Sequence, residues 1–313
     1  MLARLLARAS FAVMLAVGAT TPATADSPAA PLVTQLADFT VGGSRPVTVH
    51  VPSGYRADHP APLLIMLHGW GSSGAQHESY LRLAPVADDR GVLYAYPNGK
   101  RDSHGYRFWN ATDACCDFGH RGIDDVRYLT DLVQQISAIA NVDPRRIYFM
   151  GHSNGGFMSH AMACRRAGLV AAIVSYAGAA PRDWTDCQPS EPVAVLEIHG
   201  DHDRVVDYDG GRLDPSPFSN PLSPFPSVNG TAALWLKRDG CAADLVRLST
   251  RLNVAAGISG PNGLAEAVVR RSTGCALGGH VEVWRVPGGG HSFSLSVRFQ
   301  ELVFDFLLAH PKP

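Results

Sequence analysis

Ser153 stands in the stretch Tyr148–Arg166, YFMGHSNGGFMSHAMACRR, with glycines at 151, 155 and 156 around it. An apolar run ends at Met150, and beyond Gly156 small and apolar residues recur at helical spacing. Gly-x-Ser-x-Gly between a strand and a helix is the pattern of a nucleophile elbow. The turn forces the serine into a strained backbone conformation, and the small flanking residues let strand and helix approach closely. The hydroxyl then stands at the carboxyl end of the sheet, near the positive end of the following helix.

A serine hydroxyl is a poor nucleophile unless a base takes its proton. This architecture sets the chain order serine, acid, histidine. Two later segments supply the partners. VLEIHGDHDRVVDYDGG ends a strand and offers Asp201, Asp203, Asp207 and Asp209 as the acid. VWRVPGGGHSFS ends the last strand and places His291 on a glycine-rich loop before the final helix, where the base belongs. The predicted triad is therefore Ser153, His291 and one of these aspartates. His199, on the strand side of its glycine, reads as structural; His68 and His152 flank glycines and read as loop-orienting residues.

Acyl transfer also needs hydrogen-bond donors for the developing oxyanion. The N–H of Asn154, next after the serine, is one candidate, and the HGWG turn of His68–Gly71 supplies the other. Trp70 is the expected donor there, with its indole lining the acyl pocket. In the FWN stretch, Trp109 and Asn110 are either substrate contacts or a packed rim aromatic with a loop-ordering amide.

These residues need a scaffold. DFTVGGSRPVTVHVP reads as a hairpin around Gly42-Gly43. APLLIMLHGWG, GVLYAYPNG, PRRIYFMG, LVAAIVSYAG, PVAVLEIHG and HVEVWRVPGGG are apolar runs ending in turn residues, as buried parallel strands do. GIDDVRYLTDLVQQISAIA has helical periodicity, with Asp124 or Asp125 at its start, and SVRFQELVFDFLLAH closes the chain as an amphipathic helix. The class is α/β, a mostly parallel sheet with helices on both faces. Nothing from 37 onward reads as an interdomain linker, so 37–313 is expected to be one catalytic domain. The proline-rich stretch at about 212–226 is expected to be an ordered insertion, with Phe218 and Phe225 packing.

Arg4 and Arg8, the apolar run FAVMLAVGA and the small residues Ala23 and Ala25 follow the order of a secretory signal peptide, with cleavage after Ala25 and a leader over 26–36. Export makes the six cysteines informative, because an even count outside the cytosol suggests disulfides. No pair has the CxxC rhythm of a zinc site, so no metal and no cofactor is expected. A formal net charge of −1 gives no electrostatic case for nucleic acid or for an anionic membrane surface.

Taken with LHGWGSS, YPNG, FWNATDACC, GIDDVRYLTDLV, ACRRAGLVAAIVSYAGA, HGDHDRVVDYDGG, WLKRDGC, TGC and VPGGGH, the elbow resembles the polyhydroxybutyrate depolymerase/feruloyl esterase group of secreted α/β-hydrolases, over nearly the whole chain from about 37. That resemblance puts the acid on Asp203. It also implies pairing of Cys164 with Cys187 and of Cys241 with Cys275, leaving Cys115 and Cys116 as a vicinal bridge or two reduced buried thiols. Ser292-Phe293-Ser294 departs from the Thr-Trp-Pro that often follows the family's histidine, so Phe293 is a candidate specificity residue. No additional substrate-binding domain is visible.

The expectation is a secreted, monomeric serine esterase acting through an acyl-enzyme on feruloyl or acetyl esters of plant polysaccharide, or on polyester oligomers. The triad does not separate ester from amide, so a peptidase on the same scaffold is one rival, and a non-catalytic secreted binding protein is another.

Overall fold

Ala61–Leu67 is buried at all seven positions. Leu63, Ile65 and Leu67 enter one apolar cluster, and Leu64 and Met66 enter another. A strand with period-2 side chains and two apolar faces must be covered on both sides. The computed structural model describes residues 36–214, 222–256 and 265–313, all within one compact unit, Gln35–Pro313. The expected signal peptide (1–25) and residues 26–35 of the leader lie outside the described residues, as does the 215–221 part of the proline-rich stretch, with Phe218.

In chain order the strands are β1 (Phe39–Val41), β2 (Val47–His50), β3 (Ala61–Leu67), β4 (Leu93–Ala95), β5 (Lys100–Arg101), β6 (Arg107–Phe108), β7 (Val142–His152), β8 (Ala172–Tyr176), β9 (Ala194–Gly200), β10 (Val246–Ala255), β11 (Ala265–Arg271) and β12 (His280–Val286). The helices are α1 (Gly74–Leu81), α2 (Ala84–Asp89), α3 (Asp125–Ser137), α4 (Asn154–Arg165), α5 (Val228–Arg238) and α6 (Phe299–Ala309). The main sheet runs β1-β2-β4-β3-β7-β8-β9-β12-β11-β10, while β5 and β6 form a separate pair.

The six apolar runs are the sheet's parallel centre: β4, β3, β7, β8, β9 and β12 pair parallel in sequence of position. The expected hairpin is β1–β2, with Phe39 opposite Val49. The antiparallel β10 and β11 extend the other edge. Strand β10 has no apolar signature because only Val254 and Ala255 at its end are buried.

Helices α3, α4 and α5 pack on one face through Leu129, Phe157 and Trp235. Helices α1, α2 and α6 cover the other through Leu81, Ala87 and Phe304. Asp124 caps α3 by accepting from the Arg127 N–H at 2.9 Å. Among the described residues no helix is long and apolar enough to cross a membrane.

Three disulfides are formed: Cys115–Cys116, Cys164–Cys187 and Cys241–Cys275. The second ties the end of α4 to the loop before β9, and the third closes the β10–β11 hairpin. Of the proline-rich stretch, the described flanks are ordered. Gly211 pairs with Phe225, and Phe225 packs edge-on to Phe157 at 6.0 Å.

The chain leaves β3 toward β4 on one side and returns to β7 on the other, so the winding direction changes between β3 and β7. Crevices at the carboxyl ends of parallel strands form at such switch points. The loops after β3, β7, β9 and β12 all open there.

Candidate active site

Ser153 follows β7 directly, with φ 56° and ψ −122°. A non-glycine residue in that region is strained and must be held by its surroundings. Its N–H donates to the Tyr176 carbonyl at 2.8 Å. Close packing on the helix side explains the glycines: a Cβ at Gly155 would lie 2.1 Å from the Leu67 carbonyl oxygen, and one at Gly151 would lie 2.1 Å from the Gly155 backbone. The serine thus sits at the N-terminus of α4, a helix buried from Asn154 to Cys164.

Asp203 lies three residues beyond the end of β9. Its Oδ1 accepts from the N–H groups of Val205 and Val206, at 2.8 and 3.0 Å. Its Oδ2 lies 2.8 Å from His291 Nδ1 and 3.3 Å from His199 Nε2. Burial pushes the Asp203 carboxyl up, but the hydrogen bonds from His199 and His291 overcome it and hold the group below the usual carboxylate range. The carboxylate is therefore ionised and accepts the His291 Nδ1 proton, leaving Nε2 of that ring able to take another. Gly200 and Gly289 bring the two loops together: a Cβ at Gly200 would lie 2.1 Å from the Gly289 oxygen. Of the competing acids, Asp201 is engaged elsewhere, by Arg285 at 3.1 Å and the Gly288 N–H at 2.7 Å.

A second histidine holds the His291 backbone. His152 Nε2 faces the His291 carbonyl at 2.8 Å, and a carbonyl only accepts, so that nitrogen carries hydrogen. His152 Nδ1 lies 3.0 Å from His77 Nε2. Burial, with His291 nearby, keeps the His152 pKa well below the ordinary imidazole value and brings His77 down to about 4. These neutral rings are fixed hydrogen-bonding struts. His68 plays a similar part after β3, donating from Nδ1 to the Gly69 carbonyl and accepting the Gly99 N–H at Nε2, at 2.7 and 2.9 Å.

Ser153 and His291 line one cavity of about 430 Å³. Trp70, Cys116, Phe118, Val205 and Leu213 give it an apolar wall, and Arg204, Arg212 and Asp214 stand in its lining as charged groups. Trp70 packs against Tyr106 and edge-on to Phe118, with ring centres 4.7 and 5.6 Å apart. Phe118, Leu213 and Val205 were not singled out by sequence. The signal available was position: Val205 follows the acid by two residues, and Phe118 follows the cysteine pair by two.

Three further sequence-based candidates lie outside the lining of the Ser153 cavity. Trp109 is fully buried; its indole donates to the His68 carbonyl at 3.1 Å and its N–H to Asn154 Oδ1 at 2.7 Å. It fastens the loops behind Ser153 and does not line the Ser153 cavity. Asn110 donates its N–H to Asp125 and its amide to the Ile123 carbonyl, which makes it the loop-ordering amide; it borders a different cavity. Phe293 is 5% exposed and packs on Tyr176, with its carbonyl accepting from the Tyr80 hydroxyl at 2.7 Å. It turns into the core behind the site because two tyrosines anchor its backbone. The Asn154 side chain is likewise occupied, bridging the Trp109 backbone, while its N–H belongs to the first turn of α4. Among the described residues no group of three or more His, Cys, Asp or Glu is placed to hold a metal ion.

Residues 47–183 match the family model described as esterase PHB depolymerase. That stretch includes Trp70 and Ser153 and ends before Asp203 and His291. The chain is 34% identical over 203 residues to feruloyl esterase B of Piromyces equi, covering 64% of this chain and 36% of that protein. It is 27% identical over 183 residues to feruloyl esterase D of Neurospora crassa, covering 55% and 57%. The chain thus spans about a third to just over half the length of these curated relatives. Among solved structures, acetyl xylan esterase from Aspergillus awamori superposes with a TM-score of 0.58 at 14% identity, covering 86% of this chain and 97% of that one. That likeness shows the α/β-hydrolase fold.

Proposed function

We propose, for a chain that belongs to the polyhydroxybutyrate depolymerase/feruloyl esterase family, that it is a serine esterase with Ser153 as nucleophile, His291 as base and Asp203 as the acid that orients it. The observation that carries this reading is His291, hydrogen-bonded to the Asp203 carboxylate and lining the same cavity as Ser153, whose φ is 56°.

With Nδ1 committed to Asp203, His291 Nε2 removes the Ser153 proton as Oγ attacks the ester carbonyl. The imidazolium formed is stabilised by the buried carboxylate. The N–H groups of Asn154 and Trp70 receive the oxyanion, each worth about 3 kcal/mol. The imidazolium then protonates the leaving alcohol. A water molecule, deprotonated by the same nitrogen, hydrolyses the acyl-enzyme and returns Ser153.

The cavity volume and the walls of Trp70 and Phe118 suit an acyl group with one aromatic ring, which favours feruloyl-type esters over acetyl esters. Three disulfides and the signal-peptide character of 1–25 support export of a single catalytic domain, and we expect a monomer. The test is a hydrolysis panel of feruloyl, acetyl-xylan, hydroxybutyrate and peptide substrates on the purified protein. The reading predicts ester turnover, highest on feruloyl esters, that Ser153→Ala removes by about a million-fold. Peptide cleavage exceeding ester cleavage, or unchanged turnover in Ser153→Ala, contradicts it.

A further inference from the structure

Behind Asp203 lies a line of buried polar groups that the proposed chemistry does not use. The Trp235 indole N–H of α5 donates to His160 Nδ1 on α4 at 3.0 Å. His160 Nε2 lies 3.1 Å from Glu197 Oε2, and Glu197 Oε1 lies 3.1 Å from His199 Nδ1. His199 Nε2 lies 2.8 Å from the Val206 carbonyl and 3.3 Å from Asp203 Oδ2. His160, Glu197 and His199 are all at most 2% exposed.

Donor and acceptor roles fix most of the protons. An indole N–H only donates, so His160 Nδ1 accepts and its Nε2 holds the hydrogen that Glu197 receives. The Val206 carbonyl and the Asp203 carboxylate only accept, so His199 Nε2 carries hydrogen. One proton remains to be placed, between His199 Nδ1 and Glu197 Oε1. An imidazole set between two carboxylates takes it. Burial lowers the His199 pKa, but the hydrogen bonds to Asp203 and Glu197 outweigh burial and raise it to about 9. The other ionisable groups near this ring are Tyr208, edge-on at 5.8 Å; Arg270, which donates to the Tyr208 hydroxyl at 3.1 Å; and Arg285, paired with Asp201. His152 reaches the site from the far side of His291 and is held neutral by burial.

We infer that Glu197 and His199 are positioning residues: Glu197 keeps His199 as a buried imidazolium, which holds Asp203 in place and offsets part of its charge. Asp203 alone would bind the proton of His291 tightly. A cation on the opposite side of the carboxylate lowers that affinity, so His291 becomes available as a base at a lower pH. The inference rests on the esterase reading above.

Glu197→Gln tests it with little change of shape. The new amide oxygen accepts from His160, and the amide N–H faces His199 Nδ1. That locks His199 as neutral with hydrogen on Nε2, and the bonds to Val206 and Asp203 persist. The expected result is a shift of the acid limb of kcat/KM to higher pH by about 0.5–1 unit, with KM unchanged and the alkaline plateau within about threefold of wild type. Nitrogen-15 NMR of the wild-type protein provides a readout that needs no turnover: both His199 ring nitrogens should be protonated at pH 7. An unmoved acid limb in a folded Glu197→Gln variant overturns the inference, and so does an unprotonated His199 Nδ1. Failure of the esterase reading looks different: wild type would show no hydrolysis dependent on Ser153, whatever the state of His199.

Discussion

Replacing Asp203 by asparagine should disable the site while leaving its shape intact, because the backbone decides which way the new amide points. Oδ1 of Asp203 accepts two N–H groups, from Val205 and Val206. Turning an NH2 toward them would leave both backbone donors without their acceptor, the buried Val206 N–H at about 1–3 kcal/mol. The amide oxygen therefore stays on the Val205 side, and the NH2 takes the place of Oδ2, 2.8 Å from His291 Nδ1, while the His199 Nε2–H loses that acceptor but keeps the Val206 carbonyl at 2.8 Å. Nδ1 must then accept, so the ring's hydrogen moves to Nε2, the nitrogen that should receive the Ser153 proton. The base is present and correctly placed, but in the wrong tautomer. In serine–histidine–aspartate sites that exchange costs about 10⁴ in kcat, or roughly 5.5 kcal/mol of transition-state stabilisation. The assay is steady-state hydrolysis of a nitrophenyl ester at pH 8, with near-UV circular dichroism to establish native packing. A folded Asp203→Asn variant retaining kcat within tenfold of wild type would refute the reasoning.

Other perturbations bear on the scaffold. Gly155→Ala places a Cβ 2.1 Å from the Leu67 oxygen, a backbone atom that cannot rotate away. It should destabilise the fold by about 3 kcal/mol or more and abolish turnover, read by thermal melting and ester hydrolysis. Burial raises Asp239 to about 7, so between about pH 4 and 7 the native state holds a proton that the unfolded chain has released. Stability should therefore fall with rising pH across that window. Asp239→Asn should match wild type near pH 4 and exceed it by up to about 4 kcal/mol at pH 8, measured by denaturant titration. Replacing both Cys164 and Cys187 by alanine opens a link spanning 23 residues and should lower stability by about 3 kcal/mol, measured in the same way.

The sheet's parallel centre could be read from sequence because each of its six strands is a mainly apolar run ending in turn residues, as strands buried on both faces tend to be. Ser153 and His291 could be singled out because each follows the end of such a run and lies among glycines, whereas the choice of Asp203 among four nearby aspartates came from the family resemblance. What escaped reading depends on side-chain direction. Phe293 lies two residues past His291 and Trp109 lies in a loop-like FWN stretch, and an aromatic in either place suits a substrate contact as well as a core residue. Only the hydrogen bonds to His68 and from Tyr80 turn them inward. Strand β10 carries arginines and polar residues at the edge of the sheet, and β11 offers only the short apolar stretch Ala267–Val269 before two arginines, so no long apolar run announced them. The Glu197–His199 pair sits within an apolar strand, where two titratable residues draw little notice until their partners on α4 and α5 are in place.

The most direct test of the account is covalent. Treating the protein with an aryl phosphonate ester, then measuring intact mass and mapping the modified peptide, should give one adduct per chain on Ser153, formed in step with loss of ester hydrolysis and greatly slowed by His291→Ala. An adduct on another residue, or hydrolysis that continues at full rate with Ser153 modified, would contradict the assignment of this serine as the nucleophile.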